Sequence, residues 1–159
     1  MVSIAAFSRR VNAGVERLVA AMGMAMVLIV GAQVFFRYGL NHSLFWSEEL
    51  ARFLLIWLTF LGASTAYYHW SHPGVDALFS RLGPRGQRIS AWMVHGAALV
   101  LFGVMLVYGI QFAWFVRLQI TPALGWPKWI PMGVVPLSSL VFILHCLGFM
   151  ARELTRRDA

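Results

Sequence analysis

Hydrophobic residues fall into four long runs separated by short polar stretches. The first, Leu18–Phe36, has 19 residues. At 1.5 Å per residue a helix of that length reaches about 28 Å, against a bilayer core of about 30 Å. The second run, Phe53–Tyr68, has only 16 residues and would reach about 24 Å. The third, Ile89–Val116, has 28 residues, more than a perpendicular span needs, so it tilts or protrudes. The fourth, Trp129–Met150, has 22 residues. Pro131 falls in its first turn, where proline is tolerated. Pro136 falls deeper, removes a bond to the Met132 carbonyl and predicts a kink.

The pattern predicts an all-α integral membrane protein with four transmembrane helices and short interfacial helical segments. Residues 1–159 form a single membrane domain, with spans at about 18–36, 47–68, 89–116 and 129–150. Ser8-Arg9-Arg10 superficially resembles a twin-arginine signal. The run behind it is too long for a signal core, and Val34-Phe35-Phe36-Arg37 offers no small-residue cleavage site. The first run is therefore expected to be a retained span. Between spans two and three, His72-Pro73-Gly74 reads as a turn. Val75, Leu78, Phe79 and Leu82 then share one helical face. A short helix on the membrane surface is expected there, with Arg81, Arg85 and Arg88 near anionic headgroups.

Composition agrees with the pattern. Hydrophobic residues make up 60% of the chain and charged residues 12%, against about 45–50% and about 25% in soluble domains. The mean hydropathy is +0.71. A soluble enzyme, a disordered chain and a nucleic-acid module are all excluded. The net charge of +7 does not imply nucleic acid, because the charges flank the apolar runs. A single cysteine, Cys146, rules out an internal disulfide and any Cys-cluster metal site.

The basic residues also orient the chain. With four spans, both termini and the 69–88 loop share one side. That side carries Arg9, Arg10, Arg17, Arg81, Arg85, Arg88, Arg152, Arg156 and Arg157; the other carries Arg37, Arg52, Arg117 and Lys128. The asymmetry predicts both termini in the cytoplasm.

Trp46-Ser47-Glu48-Glu49-Leu50-Ala51-Arg52 is the most informative stretch. The second run is too short alone, so its helix must extend backwards, and Ser47 is a good N-cap. The extension draws Glu48, Glu49 and Arg52 to the bilayer edge, where pairing lowers the cost of charge. Glu48–Arg52 and Glu49–Arg52 stand at i,i+4 and i,i+3, in the favourable acid-first order. In helical projection Glu48, Arg52, Leu55, Thr59, Gly62, Ala63 and Ala66 form one stripe, with Trp57 opposite. Small and polar residues on one face mark a helix–helix contact. The neighbour is either another span or a partner protein. A simple interfacial cap and a proton or ion site on Glu48 and Glu49 are the competing readings.

His95 and His145 lie at similar depth, which admits a b-type haem held between helices. Two hydrogen-bonded membrane histidines are the plainer reading, and no cofactor or metal is expected. No Walker loop, Ser/His/Asp set, metalloprotease motif or dinucleotide fingerprint is present, so no enzyme activity is expected. No span carries an unpaired acid at mid-depth, and discontinuous helices and paired repeats are missing. Both facts argue against a carrier acting alone. The aromatic-rich spans have no polar stripe for a channel.

Phe36-Arg37-Tyr38, the Trp46–Arg52 stretch and Trp57-Leu58-Thr59-Phe60-Leu61-Gly62-Ala63 resemble the small membrane subunit of tripartite ATP-independent periplasmic (TRAP) transporters. His72, Asp76 and Pro127-Lys128-Trp129-Ile130-Pro131 resemble it too. The likeness runs from about residue 12 to 150, and the Trp-Ser-Glu-Glu stretch is its most specific part. Pro73 departs from the pattern. The resemblance implies a subunit of a secondary importer, usually sodium-driven, for organic acids such as dicarboxylates or sialic acid. It implies two partners besides the lipid bilayer: a large membrane permease that carries the solute by an elevator motion, and a periplasmic substrate-binding protein. The small subunit would be a fixed scaffold in the bacterial inner membrane. Arg37, Trp46, Glu48, Glu49, Arg52, Trp57 and Gly62 would then be the structural and partner-contact residues. The alternative from another class is a b-type cytochrome anchor with His95 and His145 as haem ligands.

Overall fold

A computed structural model describes residues 2–69 and 83–155. Among these the chain forms α1 (Val2–Gly39), α2 (Phe45–Tyr68), α3 (Pro84–Phe115), α4 (Trp129–Met132) and α5 (Val134–Thr155). Four helices are long and apolar enough to cross a membrane, in agreement with the four predicted runs. The expected surface helix of residues 75–82 lies outside the described residues, as do His72, Pro73 and Asp76.

The helix ends differ from expectation for local reasons. α1 starts well before Leu18, because helix propagation needs backbone bonds rather than apolar side chains. It ends where the Leu40 and His42 N–H groups both donate to the Phe36 carbonyl, with Asn41 at φ 50°, a conformation asparagine tolerates. α2 starts at Phe45, two residues before the expected cap. Ser47 therefore sits in the first turn, and its hydroxyl donates back to the Leu44 carbonyl at 2.6 Å instead of accepting from an N–H. α3 starts at Pro84, with proline in its first turn. Arg85 and Arg88 are thus helical residues, not loop residues.

The fourth span is interrupted at a single residue ahead of Pro136. The break falls at Gly133, between α4 and α5. Restarting at Val134 places Pro136 in a first turn, where its missing N–H leaves no bond unmade.

α5 is the central helix and packs against α1, α2 and α3. Small residues stand at the close approaches, as in many membrane bundles. A Cβ on Gly109 would lie 3.1 Å from Val135 Cγ1 and 3.2 Å from Pro136 Cδ, and one on Gly148 would lie 3.3 Å from Ser8. Ser138 and Ser139 are buried and return their hydroxyls to the Val135 carbonyl. Tyr67, Phe142 and Cys146 form the core, with Ala98, Leu99, Phe102 and Phe149 against them. Many remaining large apolar side chains point outward, from Val27 and Leu28 on α1 to Val100 and Val104 on α3, which suits a lipid surround.

Candidate functional site

The charged turn at the start of α2 holds its neighbours on two sides. Consecutive helical residues point about 100° apart, so Glu48 and Glu49 face different elements. Glu48 Oε1 accepts from Gln33 Nε2 at 3.1 Å and lies 3.9 Å from Arg37 Nη1, both on α1. Glu49 Oε2 accepts from the backbone N–H groups of Ala123 and Leu124, each at 2.8 Å.

The sequence explains why those two N–H groups are available. Thr121-Pro122-Ala123-Leu124-Gly125 folds as a single turn closed by Gly125 N–H to the Thr121 carbonyl at 3.1 Å. Gly125 sits at φ +66°, a left-handed position glycine reaches without strain. Thr121 accepts from Trp126 N–H through its hydroxyl, and Pro122 has no N–H to satisfy. Ala123 and Leu124 are left with orphan donors, as at a helix N-terminus, and a carboxylate is their natural acceptor.

The expected pairs of Glu48 and Glu49 with Arg52 are not formed. Both acids are taken by more distant partners. Arg52 is exposed and makes no hydrogen bond or ion pair among the described residues. Helical spacing predicts only contacts within one helix, and an exposed i,i+4 pair contributes only about 0.3–0.5 kcal/mol. Two neutral N–H donors and a second helix outweigh it.

The predicted stripe is where expected and is uncovered. Glu48, Arg52, Leu55, Thr59 and Ala63 are exposed, and Gly62 and Ala66 are half-buried. A Cβ on Gly62 would meet nothing within 4 Å. The opposite face, with Ser47, Leu61, Ser64 and Tyr67, is the one buried in the bundle. Trp57 belongs to that inner side. It lines a small apolar cavity of ≈ 140 Å³ with Met22, Trp126 and Pro131. Trp46 is 43% exposed.

A polar group that the sequence reading missed lies at the other end of the bundle. Tyr67 Oη is 2.7 Å from His95 Nδ1 and 3.0 Å from Cys146 Sγ, tying α2, α3 and α5 together. Ser8 Oγ is 2.8 Å from His145 Nδ1. Asn12 donates to Glu16 at 2.8 Å, and His69 meets the same carboxylate oxygen at 2.5 Å. The only sequence signal for Ser8, Asn12 and Glu16 was their i,i+4 spacing, on a stretch taken to precede the helix.

These residues do not fit a haem. His95 stacks on Phe149 with ring centroids 5.4 Å apart and bonds Tyr67, which also reaches Cys146 beside His145. The His145 ring is fully buried, with Tyr68 at 5.0 Å. Both rings are thus engaged through Nδ1, by Tyr67 and by Ser8, and packed against aromatic side chains.

Residues 26–156 match the family of tripartite ATP-independent periplasmic transporters, DctQ component. The chain is 29% identical to an ectoine TRAP transporter small permease protein of Halomonas elongata, over 90% of this chain and 76% of that protein. It is 34% identical to an isethionate TRAP transporter permease protein of Oleidesulfovibrio alaskensis, over 86% of this chain and 22% of that much longer protein. It is 29% identical to a sialic acid TRAP transporter small permease protein of Vibrio cholerae, over 66% of this chain and 61% of that protein. The family is a transporter component and not an enzyme, and its members are multi-pass proteins of the inner membrane. Four apolar spans, an acid-anchored second span and a match over most of the sequence agree: the chain belongs to the DctQ component family of TRAP transporters, as a small permease subunit.

Proposed function

We propose that this small permease is the fixed scaffold of an importer, docking a large permease through the stripe of α2 that runs from Arg52 to Ala66. The uncovered stripe carries the reading: Gly62 faces open space, and Arg52 has no partner within the described chain. A guanidinium near the bilayer edge without a counter-charge is costly, and a carboxylate on a neighbouring helix would relieve it. Glu48 and Glu49 set the angle of α2 from within, through α1 and the 121–125 turn. Arg37 supports Glu48, and Trp57 supports the inner face, so both are positioning residues and not contacts. Trp46 stands at the rim. The substrate-binding protein would dock on the side that bears this turn, and both termini would be cytoplasmic. The solute is proposed to be a small organic acid of the dicarboxylate or sialic-acid kind. The sialic acid relative supports that class, and the ectoine and isethionate relatives mark its breadth.

Arg52→Ala and Gly62→Leu test the scaffold role. Arg52 is exposed and makes no hydrogen bond or ion pair among the described residues, and a Cβ on Gly62 meets nothing within 4 Å, so thermal unfolding of the small subunit alone should stay within about 0.5 kcal/mol of the parent. Co-purification with the large permease should fall at least about tenfold, together with whole-cell uptake. Normal assembly with lost uptake would place Arg52 in the transport cycle. Normal assembly and uptake in both variants would remove the stripe from function.

A further inference from the structure

We propose that the apolar groove between the end of α3 and the α4–α5 break holds one acyl chain of an anionic phospholipid, with the phosphate on Arg117. The inference goes beyond the scaffold role and does not rest on it. The groove has a volume of ≈ 560 Å³ and is lined by Ile110, Trp114, Trp129, Gly133 and Pro136, together with the exposed Arg117. Its size falls in the range of ligand sites, roughly 300–1,000 Å³.

The helix break shapes it. Gly133 brings no side chain to the wall, and Pro136 follows in the first turn of α5. The result is an apolar slot open toward the surround, not a polar solute site.

Charge complementarity selects the occupant. The Arg117 guanidinium stacks 3.9 Å over the Trp114 ring, and its Nη1 donates to the Trp114 carbonyl at 3.0 Å. The cation is thus held in place, with most of its five N–H donors still free for phosphate oxygens. No carboxylate lines the groove, and Glu48 and Glu49 at the start of α2 are engaged by α1 and the 121–125 turn. Lys128 precedes Trp129 on the chain that pairs with the Arg117 side through Ile120 and Pro127. Exposed Trp114, Trp126 and Trp129 mark the headgroup level, where tryptophan collects. An apolar slot with a fixed cation at headgroup height fits an amphiphile with an anionic head.

The test titrates the full chain in mild detergent with dioleoyl-phosphatidylglycerol or dioleoyl-phosphatidylcholine and counts adducts by native mass spectrometry. One tight phosphatidylglycerol adduct is expected, with phosphatidylcholine weaker. Arg117→Gln should weaken the first adduct about fivefold, equivalent to about 1 kcal/mol. Arg117→Lys should retain it, which separates charge from folding. Ala113→Phe, which fills the groove, should abolish it. Equal binding of the two lipids, or an adduct indifferent to both Arg117→Gln and Ala113→Phe, would overturn the proposal. So would loss of the adduct on co-expression with the large permease, which would make the groove a protein contact.

Discussion

At the scale of single residues, Glu49 has the most determinate task. Its carboxylate closes a turn whose Ala123 and Leu124 N–H groups have no other acceptor. Hydrogen bonds to charged groups contribute about 1.5–3 kcal/mol when buried, and this site is partly exposed, so the lower end applies. Glu49→Ala should destabilise the small subunit by about 1.5 kcal/mol, read as a lower thermal midpoint in nanodiscs. Glu49→Gln keeps a carbonyl acceptor and should lose less than half of that. Equal loss in both would mean that charge, and not acceptance, is what the turn requires. The sequence made these acids visible through their place at the bilayer edge. It did not show their partners, because Gln33, Arg37, Ala123 and Leu124 lie 11 to 75 positions away and helical spacing predicts only local contacts. The same limit hid Ser8 and Tyr67 as the partners of His145 and His95.

At the scale of elements, the apolar runs marked the spans because the bilayer imposes both length and composition on them. They did not mark helix ends. α1 and α3 continue into polar sequence, where backbone bonding persists after hydrophobicity has stopped. Pro136 was legible as a disturbance, but its consequence depended on Gly133, after which the helix restarts two residues before the proline. That restart also sets a close helix approach, where Gly109 of α3 meets Val135 and Pro136 of α5. Gly109→Ala should push these helices apart and cost about 1–3 kcal/mol. Gly103→Ala, where the new Cβ meets nothing within 4 Å, should be neutral or stabilise by up to about 1 kcal/mol. Chemical unfolding in mixed micelles measures both. A Gly109→Ala protein as stable as the Gly103→Ala protein would show that the α3–α5 crossing yields without strain.

At the scale of the whole molecule the two ends of the bundle are chemically distinct. One end carries Trp46, Trp114, Trp126 and Trp129, the acid-anchored α2 start and the 121–125 turn. The other carries the buried Tyr67–His95–Cys146 contacts and most of the arginines. Positive residues are retained on the cytoplasmic side during insertion, so the tryptophan-rich end should face the periplasm, where a substrate-binding protein would approach. Cysteine labelling decides this. In a Cys146→Ser background, whose hydroxyl keeps a partner for Tyr67, a cysteine replacing the exposed Gln119 should react with an impermeant maleimide in intact cells. One replacing Gln87 should react only after permeabilisation. Permeabilisation matters because Gln87 is half-buried, and silence in intact cells would otherwise be ambiguous between burial and sidedness. The reverse pattern would invert the bundle. The acid-anchored turn would then face the cytoplasm, leaving a periplasmic partner to dock on the end where α2 leads into the 69–83 segment.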